Sequence, residues 1–279
     1  MKKILVTLDG SPHGEVATEY GLALGKAFGC PVNGLHVIDA RVLEGPLMAD
    51  LSGWVGATPY AAHLPRFREM FEEKGRTILR AFKERIERDK HDGDILLRTG
   101  YPARVIRELE DGYDLVVLGR QGEHEELVGH TLGSTVDRVI RHTEQPCLVT
   151  ARTYHPVSKI LAAYDGSPHA RDALQVATEW AKTLGIELIV LSVAEHGTEK
   201  ANARASEGQK AAAEKGVAAA ALVAEGRQQG PAVIESAEEQ GCSLIVVGAF
   251  GHSRLRELIV GSTTAYVLNH SATPVLVVR

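Results

Sequence analysis

The chain is written twice. Ile4-Leu-Val-Thr-Leu-Asp9-Gly10-Ser11-Pro12-His13 returns as Ile160-Leu-Ala-Ala-Tyr-Asp165-Gly166-Ser167-Pro168-His169. The likeness runs on in register: Ala27-Phe28-Gly29 against Thr183-Leu184-Gly185, His36-Val37 against Ser192-Val193, and Pro102-Ala103 against Pro231-Ala232. Asp114-Leu-Val-Val-Leu-Gly119 answers Ser243-Leu-Ile-Val-Val-Gly248, and Gln145-Pro-Cys-Leu-Val149 answers Thr273-Pro-Val-Leu-Val277. A repeat this long is a duplicated domain, and 279 residues are enough for two.

Within each half, short β-branched runs alternate with amphipathic stretches. Strands are expected near 2–8, 32–37, 94–99, 114–119 and 146–150, then near 159–164, 186–193, 220–225, 243–248 and 274–278. Helices are expected near 13–28, 67–89, 102–110 and 132–143, then near 169–184, 199–215, 231–239 and 262–270. That alternation implies α/β domains, each a doubly wound parallel sheet with helices on both faces and ligands at the C-terminal strand ends. The halves differ most between the second strand and the next helix. There the first half carries Asp39 to Arg66, rich in Gly, Pro and small residues, and 41–64 reads as a surface excursion: a lid, a partner-binding loop or a tolerated insertion.

Chemistry concentrates in Gly248-Ala-Phe-Gly251-His252-Ser-Arg254-Leu-Arg256-Glu-Leu-Ile-Val-Gly261-Ser262-Thr263. Glycines after a strand let backbone N–H groups turn toward an anion, and Gly261, Ser262 and Thr263 open a helix whose N-terminal dipole favours negative charge. His252, Arg254 and Arg256 add donors. The same spacing also suits a strand, loop and capped helix with no ligand. Asp165 reads either as an acceptor for an amino group or ribose hydroxyl, or as the cap of the helix that Pro168 begins, with Asp9 its counterpart.

The first-half counterpart, Gly119 to Thr135, has one more residue between Gly122 and Gly133. It places Glu123, Glu125 and Glu126 where the second half has cations. A like charge near phosphate costs on the order of 1–4 kcal/mol, so the second half is expected to hold the nucleotide. His124 and His130 among those glutamates fit no metal motif. No GxxxxGK[ST], GxGxxG or GxSxG element occurs, and no nucleophile and base stand as a pair, so no catalytic residue is assigned.

Composition narrows the class. A net charge of -5 argues against a nucleic-acid partner, and no apolar run reaches the ~20 residues of a membrane span. Three cysteines without CxxC spacing support neither a disulfide framework nor a zinc site, and read as small core residues. Met1 to Asp9 reads as a first strand rather than a signal peptide, which makes a cytoplasmic protein the expectation.

These residues resemble the universal stress protein family in its tandem two-domain form, over essentially the whole chain. The most specific match is the family's ATP-binding pattern G-x2-G-x9-G-[ST], met by Gly248, Gly251, Gly261 and Ser262 and missed by one residue in the first half. The resemblance implies two domains, 1–153 and 157–279, each five-stranded with strand order 3-2-1-4-5, of the adenine nucleotide alpha hydrolase-like kind. It implies Ala163, Tyr164, Asp165 and Val193 around adenine and ribose, and Val247, Gly248, Gly251, Gly261, Ser262 and Thr263 around the phosphates of ATP. Asp9 and Val37 would leave a vestigial adenosine pocket in the first half. The final strands resemble the family's dimerisation edge, where a tandem chain can pair its own halves as a pseudo-dimer, with a homodimer open. The implied function is a stress-response regulatory or protective protein; a slow Mg²⁺-dependent ATPase and a scaffold that binds no nucleotide stay as alternatives.

Overall fold

The computed structural model describes residues 1–44, 64–122, 132–195, 197–226, 228–249 and 260–279. The first half runs β1 (Ile4–Thr7), α1 (Pro12–Phe28), β2 (Val32–Asp39), α2 (Ala40–Glu44), α3 (Leu64–Arg88), β3 (Ile95–Gly100), α4 (Pro102–Leu109), β4 (Leu115–Leu118), α5 (Ser134–His142) and β5 (Cys147–Val149). The second runs β6 (Lys159–Ala163), α6 (Pro168–Leu184), β7 (Glu187–Ala194), α7 (Glu199–Glu214), β8 (Ala219–Glu225), α8 (Gln229–Glu239), β9 (Leu244–Gly248), α9 (Ser262–His270) and β10 (Val275–Val278). The expected elements are present. Additions among the described residues are a 3-10 turn at Glu110–Gly112 and α2, which places the start of the 41–64 excursion in a helix; most of that excursion, 45–63, lies outside the described residues, as do the loop histidines and glutamates at 123–131.

All ten strands form one sheet in the order β3-β2-β1-β4-β5-β10-β9-β6-β7-β8, so each half repeats 3-2-1-4-5. Every pairing is parallel except the central one: β5 meets β10 antiparallel, with Leu148 opposite Leu276. The inner strands are buried on both faces, which is why Leu115-Val-Val-Leu118 and Val275-Leu-Val-Val278 read as unbroken apolar runs. Side chains alternate between two cores. Ile4, Val6, Val32, Leu115 and Leu276 face α1, α3, α6 and α7, whereas Leu5, Leu35, Val116, Val247 and Val277 face α4, α5, α8 and α9. Both cores run across the junction. Tyr20 packs edge-on against Tyr154 and accepts a hydrogen bond from the His155 N–H, and Phe28 meets Trp180.

The first helix of each half is stopped and started alike. Ser11 and Ser167 are the N-caps, each accepting at 3.2 Å from the amide three residues on, and Gly29 and Gly185 end the helices with φ near +60°. This corrects the reading of Asp9 and Asp165 as caps. Their carboxylates instead accept the N–H of Ser11 and Ser167 at 2.9 Å, closing the turn that holds each capping serine.

At one contact the halves exchange partners. Gly34 and Val190 occupy equivalent places, opposite Val6 on β1 and Ala162 on β6. A Cβ on Gly34 would lie 2.7 Å from the Phe82 ring of α3; in the second half the small residue is on the helix, and a Cβ on Gly208 would lie 2.7 Å from Val190. The space is filled from opposite sides.

Candidate functional site

In the second half the chain order reverses between β6 and β9: β7 lies beyond one, β10 beyond the other. Neighbouring connections leave on opposite faces there, which opens a crevice at the C-terminal strand ends. The crevice is a cavity of about 330 Å³, within the range of small-molecule pockets. Ala163, Tyr164 and Asp165 line it from the end of β6, Leu191 and Val193 from β7, and Val247 and Gly248 from β9; Gly261, Ser262, Thr263 and Thr264 line it from the start of α9. Nine of the twelve residues singled out from the sequence therefore share one cavity. The other three, Gly251, His252 and Arg254, lie outside the described residues, as does Arg256.

One wall is apolar: Ala163, Leu191, Val193 and Val233. The opposite end is polar. Unlike α1 and α6, α9 starts at a glycine, Gly261, and among the described residues no side chain caps its first-turn amides. Thr264 Oγ1 donates to the Gly248 carbonyl at 2.7 Å, tying the helix start to the strand end. Thr263 Oγ1 donates to Gln229 Oε1 at 3.0 Å, and Gln229 Nε2 donates to Glu195 at 2.9 Å. Tyr164 is held through both ends: its carbonyl accepts from Ser192 Oγ at 2.6 Å and its hydroxyl donates to Glu207 at 2.7 Å. Burial, and then the bond to Glu207, raise the Tyr164 phenol above its ordinary range.

The structure gives Gly248 a different reason from the one its motif implied. A Cβ there would lie 2.9 Å from both the carbonyl carbon and the oxygen of His169, and one at Gly119 would lie 2.8 Å from those of His13. Both glycines let the strand end pack on the backbone of the first helical turn, irrespective of any phosphate.

Arg204 on α7 and Gln229 on α8 also line the cavity, and sequence reasoning missed both. Neither belongs to a motif. Arg204 stands in an alanine-rich helix whose counterpart α3 follows the 41–64 excursion, so the repeat offers no register there. Among the described residues, no group of three or more His, Cys, Asp or Glu is gathered to hold a metal, and no helix is long and apolar enough to cross a membrane.

Comparison with known proteins agrees with this architecture. The model of the Universal stress protein family matches residues 1–151 and again 156–279. Universal stress protein Slr1230 of Synechocystis sp. is 27% identical over 288 residues, covering 100% of each chain. Universal stress protein YxiE of Bacillus subtilis is 35% identical over 147 residues, 44% of this chain and 99% of that one. The crystal structure of a universal stress protein from Archaeoglobus fulgidus superposes with a TM-score of 0.77 at 22% identity, covering 99% of this chain and 98% of that one.

Proposed function

The chain belongs to the universal stress protein family, and we propose that its second half binds ATP, or another adenine nucleotide, in the crevice between β6 and β9. The observation that carries this reading is the convergence of Ala163, Asp165, Val193, Gly248, Gly261 and Ser262, distant in sequence, on one cavity. Its apolar wall suits a purine and the Asp165 carboxylate suits a ribose hydroxyl. The uncapped start of α9 suits a phosphate, because unpaired amides and the helix dipole both favour an anion.

On this reading 157–279 is the nucleotide-binding domain and 1–153 a companion domain with a degenerate loop. The chain acts in the cytoplasm as a regulatory or protective stress protein whose nucleotide occupancy is its signal, rather than as an efficient enzyme. Nucleotide released by denaturing the purified protein tests this, measured by mass spectrometry on wild type, Gly261→Glu and, as companion, Gly133→Glu. About one adenine nucleotide per chain is expected in wild type and Gly133→Glu and none in Gly261→Glu. A wild-type chain that carries none and takes up none on titration refutes the reading.

A further inference from the structure

We propose that Arg204 is a specificity-determining residue of the second-half cavity, engaging the phosphates and making the site select charged nucleotides over the bare nucleoside. The proposal rests on the nucleotide reading above and adds the group that discriminates. Arg204 is half-buried on α7, lines the cavity, and makes no ion pair among the described residues. Among the described residues the one carboxylate in that lining is Asp165, whose Oδ1 accepts from the Ser167 amide. A guanidinium that lines a cavity and forms no ion pair among the described residues can grip phosphate oxygens with paired N–H donors.

The first half supplies the contrast. A Cβ on Gly166 would lie 3.9 Å from Arg204 Cγ, and a Cβ on the equivalent Gly10 would lie 3.0 Å from Ile78 Cδ1. One helical turn further on, Phe82 and Gly208 stand in the same relation to Gly34 and Val190. Two independent contacts thus set α3 and α7 in register, and Ile78 occupies the place of Arg204. Where the second half offers a cation over the turn after its first strand, the first half offers a methyl group.

Calorimetric titration with ATP and with adenosine, on wild type, Arg204→Gln and Arg204→Lys, tests the assignment. Arg204→Gln is expected to weaken ATP about tenfold or more, as loss of a charged hydrogen-bonding group does, while adenosine stays within about twofold. Arg204→Lys should recover part of the ATP affinity, and the salt dependence of ATP binding should be shallower in the glutamine variant. Equal loss for both ligands, or loss for neither, overturns the role of Arg204 while leaving the nucleotide site standing. A wild-type chain that binds neither ligand refutes the site, and this assignment with it.

Discussion

Arg120, at the base of the first-half loop, donates a 2.6 Å hydrogen bond to the carbonyl of Leu268, near the C-terminal end of α9. The helix whose start lines the cavity is therefore held at its other end by the opposite half. The Leu132 amide adds a second tie, donating to Asn269 Oδ1 at 3.1 Å. Arg120 is buried, and desolvation, followed by the nearby Arg152 charge, lowers its pKa from the usual arginine range, so the hydrogen bond to Leu268 is made by a desolvated cation.

Removing this tie should loosen the two halves from each other. Arg120→Ala is expected to cost about 2–3 kcal/mol, the worth of a charged hydrogen bond together with a carbonyl left without its donor. Urea unfolding measures it. A change within about 0.5 kcal/mol, the scale of a neutral surface substitution, would show that the contact does not matter.

Gly248→Ala and Gly119→Ala should destabilise by similar amounts, about 1–3 kcal/mol each, because in both a new Cβ meets helix backbone that has nowhere to move. Were Gly248 present only for ligand approach, its replacement would leave the stability of the unliganded chain unchanged and Gly119→Ala would be silent. Thermal melts of nucleotide-free protein separate the two cases.

The exchange between Gly34 and Phe82 predicts strong coupling. Gly34→Ala should cost about 1–3 kcal/mol by overpacking and Phe82→Ala about 3–5 kcal/mol by leaving a cavity. Together they should cost clearly less than the sum, since the new methyl enters the space that the ring vacates. Additivity in a double-mutant cycle would contradict the packing described.

The three cysteines are free and buried. Desolvation pushes Cys147 up to about 12 and Cys242 up to about 11 from the ordinary 9.0, and raises Cys30 as well. The fold therefore favours the neutral thiol: this contribution is complete below about pH 9 and is lost as pH rises through 11 and 12. The native chain should react with none of a thiol reagent at pH 8, and the unfolded chain with all three equivalents. The urea midpoint should fall above pH 9, less steeply in Cys147→Ala. A thiol that reacts rapidly at pH 8 would place it at the surface.

Much of this protein is legible in the sequence because its signals are local. Buried parallel strands must be continuous apolar runs, serine and glycine mark helix ends by their own backbone chemistry, and a duplicated chain displays each signal twice. The 3-2-1-4-5 order and most of the cavity lining were implied by the family resemblance that this repetition exposed. What the sequence could not show depends on chains meeting through space. That Ser167 rather than Asp165 caps α6 was decided by which oxygen reaches the Ala170 amide. That Gly248 is required by the His169 backbone was decided by how closely β9 packs on α6. The presence of Arg204 in the cavity depends on the rotation of α7 about its axis, which Gly208 sets by admitting Val190. Local propensity determined the elements and their order; the distances between them, and so the groups that share the site, were decided by tertiary packing, because side-chain volume has consequences only against a neighbour.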